Sequence, residues 1–287
     1  MKRSCIPALL LCALLTSLRA PTARAADSWS DWTWPPWHRQ PTIGLSYGFS
    51  RTSHDGVSLA PANTGAGELL LGGTRIGEKD SASALLRYRF QYFSVANFNS
   101  DVTSSTPAGV PALKVWRFGF GTHSGYGYRL GEDPGGADLL FYNGADGALS
   151  SVDIRAVPAG MRDSSVLLQF NGAARLGTSV SGGVFLRVTP LIGLDAGFQR
   201  ITILRRLVFW PWLGSEILEA VLQAALDGFI DRIGEASPMA RPIVHFVLKN
   251  ALSFGISQLR RANAYTPFPS EAPLILDTFR VGVAFTF

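Results

Sequence analysis

Past residue 12 the chain has no cysteine: Cys5 and Cys12 are its only two in 287 residues. Disulfide stapling and thiol chemistry are thereby excluded for everything downstream. Histidine is nearly as scarce. His38, His54, His123 and His245 are scattered too widely to make a metal-ligand spacing, so no metal and no cofactor are expected. The Gly-x-Gly stretches fall within strand-like segments and form no phosphate-cradling loop. No internal repeat is evident. Nor does any apolar run approach the roughly twenty residues that a membrane-crossing helix requires. These absences set aside disulfide-rich secreted domains, metal sites, nucleotide-binding folds and helical membrane proteins.

What is present begins with a leader. Lys2 and Arg3 make a basic start, Ile6 to Leu15 an apolar run, and Ala23-Arg24-Ala25 supplies small residues where signal peptidase reads. This is the layout of a secretory signal over residues 1–25, with cleavage expected near Ala25. Lys2, Arg3, Arg19 and Arg24 leave with it and no acid does, so 22 of the 26 Lys+Arg remain against 21 Asp+Glu. The basic balance is thus largely a property of the leader, and no nucleic-acid partner is expected. Residues 26–41 hold Trp29, Trp32, Trp34 and Trp37 with Pro35-Pro36. Tryptophan favours the membrane–water interface, where its ring is buried and its N–H stays wet. This arm is read as interfacial or as a segment tucked against a barrel end.

Residues 42–202 alternate with a period of two between Gly, Pro, Ser, Asn and Asp clusters, the pattern of successive strands. Candidate strands cover 42–51, 68–76, 84–93, 115–130, 137–143, 151–157, 166–176 and 184–200, with a last one over 278–287. In the fourth, Trp116, Phe118, Phe120, Tyr126 and Tyr128 share one face, while Arg117, Gly119, Gly121, His123 and Gly125 share the other. Large apolar rows opposed by small and charged rows suit a transmembrane barrel, with a lipid-facing outside and a polar lumen. Closure lets every backbone N–H and C=O find a partner in lipid.

The closing segment favours that orientation. Phe279, Val281, Val283, Phe285 and Phe287 alternate with Arg280, Gly282, Ala284 and Thr286. In a soluble edge strand, five exposed apolar side chains would be an aggregation hazard. The segment resembles the C-terminal signal of Gram-negative outer-membrane β-barrel proteins, with its terminal aromatic and alternating apolar residues. The resemblance implies insertion by the barrel-assembly machinery and surroundings of outer-membrane lipid and lipopolysaccharide. It is one of class, covers about nine residues directly, and leaves the oligomeric state open.

Residues 203–262 change period. Gly214 to Ile233 and Pro242 to Arg261 carry apolar residues at helical spacing, with Ser215 a candidate N-cap and Gly234 a candidate stop. They are read as a helical hairpin inserted before the linker and closing strand of residues 263–287. An eight-stranded barrel is filled by its own side chains. The pair is therefore placed on the outer rim or membrane surface, or as a plug if the barrel is wider.

The fold expected is an all-β antiparallel transmembrane barrel of eight to ten strands with that hairpin. Arg87, Arg89, Gln91, Arg117, His123, Arg187, Asp195 and Arg280 are predicted to face the lumen, either as a salt-bridged filling or as the basic lining of a narrow anion-selective pore. A lipid-modifying hydrolase is the other alternative. Some outer-membrane lipid A deacylases place a His and a Ser on a barrel wall with one residue between them, which keeps both on one face. His123 and Ser124 are adjacent here, which puts them on opposite faces. No catalytic residue is assigned, and the role expected is structural, adhesive or small-solute.

Overall fold

The computed structural model describes residues 39–57, 60–78, 85–102, 109–131, 136–155 and 162–287. The leader and nearly all of the tryptophan-rich arm lie outside the described residues. Eight strands form a closed barrel in chain order, each antiparallel to its neighbours, with β8 returning to pair with β1. They are β1 (Gln40–His54), β2 (Thr64–Glu78), β3 (Leu85–Asn99), β4 (Ala112–Leu130), β5 (Ala137–Arg155), β6 (Ala174–Arg187), β7 (Ile192–Ile203) and β8 (Leu274–Thr286). Among the described residues there are also three α-helices: α1 (Arg162–Leu168), α2 (Phe209–Ala236) and α3 (Arg241–Leu259).

The strands differ from the segments read by alternation in three places. The two candidates at 137–143 and 151–157 are the ends of one strand, β5. The candidate at 166–176 is the end of α1, a turn and the start of β6. The candidate at 184–200 is the end of β6, a turn and the start of β7.

The lumen is packed in tiers. At the rim where β1 ends and β2 starts, Phe98, Leu113, Val152, Ile201, Leu274 and Leu276 form an apolar plug, capped by Leu167 and Phe170 from α1 and the turn after it. At the opposite rim Leu86, Tyr88, Phe90, Leu140 and Phe185 form a second apolar layer. Polar groups occupy the belt between.

The rings fit because inward positions on adjacent strands are glycine. Tyr88 lies opposite Gly125 and Tyr92 opposite Gly121, and Tyr142 lies between Gly125 and Gly183. A Cβ on Gly121 would come within 2.7 Å of the Tyr92 hydroxyl, and one on Gly183 within 2.4 Å of the Tyr142 hydroxyl. Large and small side chains thus interdigitate across the strands, as a close-packed interior requires. Outside, Leu45, Phe49, Phe118, Leu194, Phe279 and Val281 stand exposed in a continuous apolar band.

α2 and α3 form the expected hairpin, but with other ends. α2 starts at Phe209, and Pro211 sits in its first turn, where a missing N–H breaks no helical bond. Ser215 is therefore inside the helix and not its cap. It is buried and donates to the Thr266 carbonyl at 2.8 Å. Gly234 is also inside the helix, packed against the Arg241 side chain where a Cβ would have 2.9 Å. Ahead of α2, the Tyr265 hydroxyl accepts from the Val208 N–H at 3.2 Å and donates to the Arg206 carbonyl. Burial raises the Tyr265 phenol above its ordinary range and keeps it a donor.

Candidate functional site

The polar belt of the lumen is made of two linked clusters. In the first, Arg117 on β4 pairs with Asp146 on β5. Ser179 on β6 donates to the same carboxylate at 2.6 Å, and Gln199 on β7 reaches Ser179 at 3.0 Å and Asp146 at 3.4 Å. In the second, Arg280 on β8 pairs with Glu68 on β2 and lies 3.8 Å from Asp195 on β7. It also reaches His123 Nε2 at 3.2 Å and the Tyr142 hydroxyl at 3.4 Å. A guanidinium can only donate, so Nε2 of His123 is the acceptor, and the Tyr92 hydroxyl at 3.2 Å donates to the same atom. Tyr142 donates to Asp195 at 2.8 Å. Nearer the rim, Asp138 is flanked by Arg187 and, at 3.8 Å, Arg129.

The four bases of the belt, Arg117, Arg129, Arg187 and Arg280, are thus matched by the four acids Asp146, Asp138, Glu68 and Asp195, while Arg175 at the long-loop rim donates to the Gln169 and Arg205 carbonyls. The belt can hold eight strands in one register. A small cavity touches His123 and Asp195, but Tyr88, Phe90 and Phe185 also line it, so it opens onto apolar walls.

Of the residues predicted to face the lumen, Arg117, His123, Arg187, Asp195 and Arg280 do so. Arg87, Arg89 and Gln91 do not. They alternate with buried Leu86, Tyr88, Phe90 and Tyr92 and lie on the outer wall of β3. The reason is steric. The inward Gly121 and Gly125 of β4 leave space beside them that Tyr92 and Tyr88 of β3 fill, which turns the arginines out. There they sit within a few residues of the rim, where long basic side chains can extend toward water. His123 and Ser124 face opposite sides of the wall, with His123 buried and Ser124 exposed, so they form no nucleophile–base pair. Among the described residues no group of three metal-ligating side chains occurs.

The sequence reading misses the acids that pair with the bases, Glu68, Asp138 and Asp146, and the Ser179 and Gln199 side chains that donate to Asp146. The signal that could have found Asp146 is its place on the inward row of a strand whose centre, Gly144 to Ala148, has no large side chain.

The hairpin lies outside the barrel. α3 runs along the wall over β4, β5 and β6, and α2 packs against α3. Near one rim the Tyr128 hydroxyl donates to the Met239 carbonyl at 2.6 Å, and Arg241 stacks over the Tyr126 ring at 4.8 Å. At mid-depth Asn143 donates to Asn250 at 3.1 Å and to Ser253 at 3.3 Å. Gly182 allows this approach, since a Cβ there would lie 2.1 Å from Asn250 Oδ1. Toward the other rim Phe198 meets Phe254 at 5.3 Å, and Arg200 reaches Gln258 at 2.9 Å.

No protein-family model matches the chain, and no curated protein does. Among solved structures, the chain is similar to Neisserial surface protein A, with 13% identity and a TM-score of 0.40 over 86% of this chain and 97% of that one. It is also similar to Ail, the attachment invasion locus protein of Yersinia pestis, with 10% identity and a TM-score of 0.30 over 87% of this chain and 99% of that one.

Proposed function

We propose that this chain is an outer-membrane barrel of a Gram-negative bacterium with a structural or adhesive role, working from its surfaces and not through its bore. The observation that carries this reading is the contrast between the two sides of the wall. The outside presents a continuous apolar band, while the inside is filled by paired charges between two apolar layers. The band suits hydrocarbon, and a closed eight-stranded wall leaves no backbone group unpaired there. The expected leader and the outward Phe279, Val281, Val283 and Phe285 of β8 support export and insertion by the barrel-assembly machinery.

One rim carries the short connections 79–84, 131–136 and 188–191; the other carries 55–63, 100–111, 156–173 and 204–273. Outer-membrane barrels keep short turns in the periplasm and longer loops outside. The second rim is thus the extracellular one, among lipopolysaccharide, and is the surface an adhesive role would use. The anion-pore reading is the weaker, because Glu68, Asp138, Asp146 and Asp195 neutralise the luminal arginines.

The test has two parts. Cell fractionation with heat-modifiable gel migration is expected to place a folded barrel in the outer-membrane fraction, and a soluble periplasmic product would overturn the reading. In planar bilayers the barrel is expected to give a closed trace. A steady anion-selective conductance altered by Arg280→Ala would replace the surface role with a pore.

A further inference from the structure

The α2–α3 hairpin is inside out by the standard of a soluble protein. An amphipathic hairpin on a soluble domain turns its apolar stripe to the core and its charges to water. Here the polar side chains of α3 turn inward: Arg241, His245, Asn250, Ser253 and Ser257 are buried and Lys249 is mostly covered. Acids on α2 meet these bases as a ladder along the seam: Asp231 with Arg241 and Asp227 with Lys249 at 2.6 Å, both acids half exposed at its edge, and the more covered Glu219 with Arg260, just past the end of α3, at 2.8 Å. Between these rungs Gln223 bonds Lys249 and Ser253, each at 3.0 Å. The outward face of the same helices carries Ile217, Val221, Phe229, Ile243 and Val247, each half exposed or more.

The hairpin also has the zones of a bilayer along its length. Phe209 and Trp210 mark its start at the long-loop rim, with Trp210 76% exposed, where an aromatic belt would lie. The apolar face follows. Arg232 and Glu235 are exposed near the turn, and Met239 within it meets Tyr128, two residues from the end of β4 at the other rim. α3 has 19 residues, which at about 1.5 Å each is roughly 28 Å, close to the ~30 Å hydrocarbon thickness of a bilayer. Among the described residues no helix is long and apolar enough to cross a membrane on its own. In this hairpin most of the charges that lower the mean hydropathy are rungs of the ladder, whose bases are covered, and charged groups at membrane depth persist when they pair.

We propose that the α2–α3 hairpin is immersed in the bilayer beside the barrel, with lipid acyl chains covering its outward face. The proposal rests on the outer-membrane reading above. Lipid is the occupant favoured over a second copy of the chain for two reasons. The exposed face continues the band of the barrel wall through the Phe198–Phe254 contact. It is also bounded by aromatics at one end and charges at the other, which a protein partner would not require.

The test attaches nitroxides at Val221→Cys and Val247→Cys, one at a time, in the chain carrying Cys5→Ser and Cys12→Ser. Phe118→Cys reports the barrel wall and Glu235→Cys the hairpin turn. Each variant is first checked for heat-modifiable migration; Ile217→Cys and Ile243→Cys replace any that fail. In phosphatidylcholine vesicles, collision with oxygen and with a water-soluble nickel chelate is measured. Labels at 221 and 247 are expected to match 118, with oxygen access and loss of nickel access, and 235 to show the reverse. Nickel access at 221 and 247 with a lipid-like 118 overturns the hairpin proposal and leaves the barrel in the membrane. Nickel access at 118 overturns the outer-membrane reading itself. Exclusion of both reagents at 221 and 247, with spin–spin broadening, identifies a second copy and also overturns the proposal.

Discussion

The lumen and the hairpin seam solve the same problem with the same residue types, yet they are held to different degrees. In the lumen both partners of a pair are enclosed: the Arg117 and Asp146 side chains are each 1% exposed, and those of Arg280 and Glu68 nearly as little. In two of the three seam rungs only the base is enclosed, and Glu219 in the third is 17% exposed. The Arg241 and Lys249 side chains are mostly covered, whereas Asp231 and Asp227 are 56% and 52% exposed. A luminal acid that loses its arginine has nowhere to turn, while a seam acid can swing away. The lumen therefore specifies the barrel, and the seam docks a separable unit onto it.

The largest effect should come from breaking the luminal side. Arg280→Ala leaves Glu68 and Asp195 enclosed without their base and is expected to cost about 3–5 kcal/mol. The measurement is the urea midpoint of the heat-modifiable band. Replacing all three groups with apolar or neutral ones, as Arg280→Met with Glu68→Gln and Asp195→Asn, should recover much of the loss, because it removes the unpaired charges together. If Arg280→Ala unfolds no more readily than the parent, the luminal pairs do not set the barrel's stability and the contrast fails.

The seam is broken at Gly182. Gly182→Ala forces Asn250 away from the wall and is expected to cost about 1–3 kcal/mol of docking as overpacking. Limited proteolysis should then cut within α2 or α3 while heat-modifiable migration of the barrel is kept. A fall in the barrel's urea midpoint as large as that of Arg280→Ala would show that seam and lumen are one cooperative unit. Asn250→Ala sharpens the same point. It removes a hydrogen bond to Asn143 but makes room for a Cβ at 182, so Gly182→Ala should cost little in that background. A double-mutant cycle with no coupling would mean that Asn250 does not sit where the contact requires it.

Much of this architecture was legible from alternation, and the places where it was not share one cause. β4 reads correctly because its outward row is large and its inward row small or charged, and the faces of β7 read correctly for the same reason although its start does not. β3 read backwards. Polarity assigns its arginines to the lumen, but the deciding factor is volume: Gly125 and Gly121 of β4 leave room for Tyr88 and Tyr92 on the inside. Which strand fills which neighbour's gap is a pairing property, and a single strand does not contain it. The middle of β5 escaped for the complementary reason, since Gly144 to Ala148 offers nothing large on either face. The hairpin's existence was plain from its period. Its placement was not, because the ladder from Glu219 to Asp231 meets its bases only when α3 folds back.

The smallest effect is at the far end of the seam. Tyr128→Phe removes one hydrogen bond, from the Tyr128 hydroxyl to the Met239 carbonyl, and leaves the ring in place. A single bond of this kind contributes about 0.5–1.5 kcal/mol. The carbonyl belongs to the turn between α2 and α3, where other donors or water can replace the hydroxyl. The expected outcome is therefore a modest rise in amide hydrogen exchange at 237–241, with the Asn143–Asn250 contact and the barrel strands unchanged. Exchange that instead rises along all of α3 would mean that the rim contact, and not the mid-depth clamp at Asn250, holds the hairpin to the wall. The separation of seam from lumen would survive that result, but the point of attachment would move from Gly182 to Tyr128.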